Sequence, residues 1–292
     1  MSPTTTQTAA LNGKGNATTI AQLSTPTTQL PDEFDSEQFE QSRESLPYLQ
    51  MLNHQDPEQS GFFITSENRS AVHFTPTDEW SPHTATFQNG EEVEGYRSLI
   101  ARFLILRKSK LSMFDRESGE FLREYRKDLY DRATMVLKVR YLVYLVNQQK
   151  QLLHEKPLQF TTKGSFCGSF GEAVKDFQAE MSKAYGAATG AKKPRGERFM
   201  ALSVLAVQVQ PTLKGEKQKS WVCSVINHGI PLPENWRSYF IGYHPELKDC
   251  ILAEFDAWES FGKGNLETQS QTPHSEGMSD DSDALEAGYD DF

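Results

Sequence analysis

The chain has 292 residues, 30 Lys and Arg against 40 Asp and Glu, a formal net charge of −10, and 37% hydrophobic residues. That length suits one large domain or two small ones, and the hydrophobic share falls below the roughly 45–50% of globular chains, so part of the chain is not core. Three cysteines without a CxxC pair argue against a disulfide framework or a cysteine zinc site, and the absence of a signal-like start or a long apolar run leads us to expect a soluble cytoplasmic protein.

Residues 1–45 are rich in Thr, Gln, Ser and Pro and then turn acidic. A segment of that composition buries too little apolar surface to offset the entropy of ordering, so disorder is expected. Order is expected from Leu46, in the run 46–52. Short strands follow at 61–65 and 71–74, and 86–87 and 92–96 flank Asn89-Gly90, a strong hairpin signal. Residues 98–114, a turn at 115–119 and residues 120–125 read as a long hairpin. Residues 133–146 give the clearest buried strand, with Lys138 and Arg140 on one face and Leu137, Val139 and Tyr141 on the other. Over 169–185, Phe170, Ala173, Val174, Phe177, Met181 and Tyr185 recur at helical spacing, with a capping box at Ser169 and Glu172. Residues 186–198 read as a mobile basic loop. Strands at 198–209 and 221–226 pair across the loop 211–219. Pro245 opens a second helix, to 261, with a stripe of Leu247, Ile251, Leu252, Phe255 and Trp258. From 262 to 292 the chain is again polar and acidic, and disorder is expected. The folded unit is therefore 46–261, a single β-rich α+β domain with long hairpins and two helices between disordered ends.

Charge is distributed unevenly. Residues 1–96 carry 3 basic and 14 acidic groups, 97–219 carry 24 and 12, 220–275 carry 3 and 7, and 276–292 carry 7 acidic groups and no basic one. A net +12 middle between acidic ends is the pattern of a polyanion-binding surface. Aromatics are interleaved with its cations. Single-stranded nucleic acid needs cations that track phosphates and aromatic faces on which bases stack. The candidate nucleic-acid-binding residues are Arg102, Arg107, Lys108, Lys110, Phe114, Arg126, Lys138, Arg140, Tyr141, Lys192, Lys193, Arg195, Lys214, Lys217, Lys219 and Trp221. Any one of them could equally be a solvated charge or a core ring. The segment taken whole, with twice as many bases as acids, is harder to read that way.

Enzyme signals are weak. The Gly-rich run 163–171 lacks the P-loop order and fits a turn that caps a helix. The seven histidines form no HExxH and no close pair, and His154-Glu155 reads as a polar turn. Cys223 and Cys250 sit in apolar patterns and read as core. Asp115, Asp128 and Asp131 are the nearest carboxylates for a metal-dependent nuclease, but each reads as a turn or surface pair. No enzyme activity, metal or cofactor is expected.

The C-terminus ends in an acidic run closed by Asp290, Asp291 and Phe292. It resembles the tail of bacterial and phage single-stranded-DNA-binding proteins, whose terminal Phe contacts replication partners. The resemblance covers about 15 residues, with Asp-Asp where the bacterial tip has Ile-Pro, and so lies closer to the phage form. The core separately is similar to an uncharacterised family found in cyanobacteria, which implies no function. The tail resemblance implies a sequence-nonspecific single-stranded DNA-binding protein (or an RNA-binding one) acting in replication or recombination. By functional analogy its domain would be an OB-like barrel. The tail would regulate DNA binding and recruit replication or recombination proteins, and a homo-oligomer is compatible with the sequence. The competing reading is a scaffold whose basic patch binds an acidic protein partner.

Overall fold

A computed structural model describes residues 46–87, 89–215 and 219–263. The segments 1–45 and 264–292, expected to be disordered, lie outside the described residues. The strands are β1 (Tyr48–Leu52), β2 (Gly61–Thr65), β3 (Ser81–Thr86), β4 (Glu92–Ser98), β5 (Ile100–Lys108), β6 (Ser112–Asp115), β7 (Phe121–Glu124), β8 (Met135–Leu145), β9 (Leu158–Lys163), β10 (Val204–Lys214) and β11 (Ser220–His228). The α-helices are α1 (Ser66–Val72), α2 (Gly164–Thr189), α3 (Glu197–Ala201) and α4 (Pro245–Ala257). The strands form one mixed sheet in the order β11-β10-β5-β8-β9-β1-β2-β4-β3, with the β6–β7 hairpin attached to the start of β8. β1 and β9 run parallel, whereas the other named pairs are antiparallel.

Strand alternation fixes two apolar faces. On β8, Val139, Tyr141, Val143 and Leu145 join the cluster that contains Phe166, Phe170, Ala173, Val174 and Phe177 of α2. Leu142 and Tyr144 face the other way, into a cluster with Ile251 and Phe255 of α4. The centre of the first cluster is aromatic. Phe103 and Phe160 stack at 5.7 Å, Phe170 meets both edge-on, and Phe62 and Phe166 close the group. Edge-to-face pairs of this kind contribute roughly 0.5–1.5 kcal/mol each beyond their buried area. The alternation read on 133–146 therefore holds, as does the β-rich α+β class.

The barrel does not. The sheet is open, with β11 and β3 at its ends. Side chains cover part of the β11 edge in place of another strand: the Cys223 N–H donates to Asn53 Oδ1 at 2.8 Å, and the Val225 N–H donates to Ser169 Oγ at 3.3 Å. Four α-helices stand among the described residues where two were expected. Residues 71–74, read as a strand, belong partly to α1, because the Thr65 side chain accepts the Asn68 N–H and His73 caps the far end in the left-handed region. Helix α2 begins at Gly164, whose φ of 57° turns the chain directly out of β9. Ser169 is inside the helix and caps nothing at its start. The expected mobile loop 186–198 instead contains the end of α2, a left-handed Gly190 and the start of α3, and the Arg195 N–H is held by Ser182 Oγ at 3.0 Å. Cys223 is buried as expected, but Cys250 is exposed. No helix among the described residues is long and apolar enough to cross a membrane.

His154 is no polar turn residue. It is 3% exposed and stacks on Tyr144 at 5.1 Å. The Leu145 N–H donates to Nε2 at 2.8 Å, so Nδ1 carries the proton and donates to the Lys156 carbonyl at 2.6 Å. Burial holds its pKa down to about 4, against an ordinary 6.5. The unfolded chain thus binds more protons between those values, and stability present above about pH 6.5 is lost as pH falls toward 4. Denaturant unfolding should lose roughly 3 kcal/mol over that interval, and most of the loss should vanish in His154→Phe. A flat profile from pH 6.5 to 4 would contradict the neutral, doubly bonded imidazole.

Candidate functional site

A cleft of about 1210 Å³ opens between the end of β5, the 109–111 link to β6, the second half of α2 and segment 194–197. Its floor is apolar, from Ile105, Leu111, Val139, Tyr141 and Met200, and its rim carries Lys108, Lys110, Lys183, Arg195 and Lys263. A shallower hollow of about 930 Å³ shares segment 194–197 and adds Lys193 and Arg198. Three local devices build the rim. Gly190 ends α2 in the left-handed region, and the chain folds back until Arg195 lies 5.0 Å over the Tyr185 ring. Gly262 (φ 73°) passes so close to the link that follows β5 that a Cβ would sit 2.7 Å from Ser109 Cα, which brings Lys263 to the rim. Arg107 donates twice to the Phe255 carbonyl, at 3.0 and 2.7 Å, and lies 3.5 Å over the Phe255 ring, tying α4 to β5.

The rim cations are weakly neutralised. Lys110 pairs with Glu124 at 2.7 Å, Lys183 with Glu180 at 2.7 Å and Lys263 with Glu259 at 3.3 Å; Arg198 pairs with Asp256. All are exposed pairs, worth about 0–1 kcal/mol, so an incoming anion can displace the carboxylates. Among the described residues, Lys108, Lys192, Lys193 and Arg195 form no ion pair.

The structure separates the residues expected to contact nucleic acid. Lys108, Lys110 and Arg195 meet at the cleft, Lys193 lines the adjoining hollow, and Lys192 precedes it in the chain. Lys138 and Arg140 lie on the opposite sheet face, since Val139 and Tyr141 take the α2 side. Lys214, Lys219 and Trp221 belong to the β10–β11 hairpin, and Lys217 lies outside the described residues. Val204 is level with Leu104 and Gln208 with Ile100. Lys214 therefore runs away from Lys108, to about 45 Å measured along the strands. Asp290, Asp291 and Phe292 also lie outside the described residues.

Several expectations are corrected. Arg102 is held by both oxygens of Glu79, one at 3.0 Å, with Gln148 on the same carboxylate. Arg107 serves as the α4 clamp. Phe114 is 5% exposed, packed on Phe121 under the Lys138 ammonium. Tyr141 is 3% exposed and edge-on to Phe170 at 5.1 Å, and burial pushes its hydroxyl pKa well up. Neither ring can take a base. Arg140 is 6% exposed, and desolvation lowers its pKa to about 10. Arg126 forms an exposed pair with Asp128 at 2.8 Å and is not among the residues that line the cleft. Asp115 and Asp131, by contrast, are turn residues as read from the sequence, each accepting N–H groups of its own turn. The sequence reading missed Lys183 and Lys263 as rim cations; Arg198, part of the basic loop read at 186–198, lines the hollow, and Tyr125, one of the aromatics interleaved with the cations, is half-buried and lines the cleft. Only tertiary contacts place Lys263, and no local pattern marks it.

A family model described as a domain of unknown function, DUF5895, matches residues 43–274. No curated protein and no solved structure matches the chain.

Arg107→Ala should destabilise the domain by about 1.5–3 kcal/mol, the range for hydrogen bonds to a charged group. Lys108→Ala should change urea unfolding by less than about 0.5 kcal/mol, as for surface sites generally. Equal effects from the two would contradict the division between clamp and rim.

Proposed function

We propose that this chain, which belongs to the DUF5895 family, binds single-stranded DNA along the basic cleft without base preference, in the cytoplasm and in replication or recombination. One observation carries the reading: cations with no carboxylate partner or only an exposed one gather on a single rim, whereas Arg102 and Arg107 are committed inside the fold. Phosphates would track Lys108, Lys193, Arg195 and Lys183. Tyr125 is the ring placed to stack a base, in the part first given to Phe114 and Tyr141. With few stacking faces, phosphate pairing dominates, and affinity is steep in salt.

The tail belongs to the same reading. Residues 276–292 carry seven carboxylates, and Lys263, the last described residue, lies on the cleft rim. A tethered polyanion starting there has a high effective concentration at the cleft. DNA displaces it and frees Asp290, Asp291 and Phe292 for partners. The apolar floor, with Leu111, Met200 and Phe261, favours a second reading, in which an acidic protein segment with apolar anchors is the ligand.

Fluorescence anisotropy with labelled oligo-dT of about 30 nucleotides, long enough for several site sizes, tests this. Log affinity should fall with log salt by about 0.7 per phosphate engaged. Lys108→Glu with Lys193→Glu should weaken binding at least tenfold. Tyr125→Ala should weaken it by about 1–3 kcal/mol, one stacked base, and Trp221→Ala should leave it unchanged. Removing 276–292 should tighten binding. Absence of binding at low salt, with capture of an acidic peptide instead, would support the second reading.

A further inference from the structure

Tyr243 stands in the turn that leads into α4, outside the cleft and the hollow. Among the described residues it is the one Phe, Tyr or Trp that is exposed, at 59%. The turn is anchored on both sides. Ile241 is fully buried, its N–H donates to the Leu202 carbonyl at 3.0 Å, and the His244 N–H closes the turn on the Ile241 carbonyl at 2.9 Å. Gly242 runs so close to Phe240 that a Cβ would sit 2.3 Å from its ring. The Tyr243 ring meets Phe240 edge-on at 5.7 Å and tilts against the buried Trp236 at 6.1 Å. Burial of an aromatic ring stabilises a fold, yet this one is fixed with most of its area in solvent.

Cations accompany the ring. The Arg237 guanidinium lies 5.8 Å from the Tyr243 ring centre and 5.7 Å from that of Trp236, within cation–π range. Arg237 is exposed and, among the described residues, forms no ion pair. The Lys150 ammonium lies 3.4 Å from the Phe240 carbonyl. The patch is continuous with the hollow beside the cleft: Phe199 lines the hollow and stacks on Phe240 at 4.8 Å, and Phe240 touches Tyr243. The Tyr243 ring centre is thus no more than about 11 Å from that of Phe199. A strand stacked at roughly 3.4 Å per nucleotide covers that span in about three nucleotides.

We propose that Tyr243, with Arg237 beside it, is a second stacking platform for single-stranded DNA, within about three nucleotides of the phosphates held at Lys193 and Arg198. The proposal rests on the reading of the cleft as a DNA site. A tyrosine face accepts any base, and a guanidinium stacks on a base or pairs with its phosphate. The platform adds affinity and site length without base preference.

Anisotropy with oligo-dT of about 30 nucleotides, and with an abasic strand of the same length, tests it. Tyr243→Leu keeps an apolar body against Phe240 and Trp236 but offers no ring face. It should weaken binding of oligo-dT at least about fivefold, the loss of one stacked base, and should bind the abasic strand within about twofold of the unsubstituted chain. Tyr243→Phe should bind both strands as the unsubstituted chain does. If Tyr243→Leu binds oligo-dT as well as the unsubstituted chain while Lys108→Glu with Lys193→Glu binds it weakly, the platform is overturned and the cleft reading stands. Equal losses on the two strands would reduce Tyr243 to a structural part and also overturn the platform. Failure of the unsubstituted chain to bind oligo-dT at low salt would remove both.

Discussion

The ring cluster where α2 meets the sheet is the constraint on which the other features depend. Phe62, Phe103, Phe160, Phe166 and Phe170 come from β2, β5, β9 and α2, and they are almost wholly buried. Removing a ring from such a cluster costs about 3–5 kcal/mol, a large part of the stability of any domain. Gly164 makes the strand-to-helix turn without a linker, so the cluster fixes where α2 starts. The second half of the helix must then project past the end of β5, and a cleft opens between them with an apolar floor and a basic rim.

Charge on this chain divides between two kinds of work. Arg102 and Arg107 lie in the most basic stretch of sequence, yet one is locked to Glu79 and the other to the α4 backbone. A planar guanidinium with several fixed donors suits such internal ties, whereas lysine remains a solvated point charge. The exposed rim accordingly depends mainly on lysines, with Arg195 half-buried on Tyr185.

Much of the fold was legible in the sequence, because local rules act strongly on it. The alternation of Val139, Tyr141 and Val143 against Arg140 and Leu142, the Asn89-Gly90 hairpin and the stripe from Phe170 to Tyr185 all follow from periodicity. Helix α1 was not legible, since Thr65 acts as its cap only when tertiary contacts stop β2 there. The closed barrel was an analogy to function, and strand order decides against it. Of the candidate cleft and the hollow beside it, Lys108, Lys110, Lys193 and Arg195 were already marked by composition. Phe114 and Tyr141 are buried, the first against Phe121 in the β6–β7 hairpin and the second against Phe170 of α2, and which rings stay exposed depends on such tertiary partners rather than on strand alternation. His154 looked like a turn residue because one of its backbone partners, the Lys156 carbonyl, is within the turn, whereas the other, the Leu145 N–H, comes from β8.

The proposed function requires single-stranded DNA to lie in the cleft. Photo-cross-linking of the full chain to oligo-dT carrying halogenated bases, with adducts mapped by mass spectrometry, tests that most directly. Adducts at Tyr125 and on peptides spanning 108–111 and 178–195 are the predicted result. Adducts confined to Trp221 and the β10–β11 hairpin, or to the face that bears Lys138 and Arg140, would contradict it.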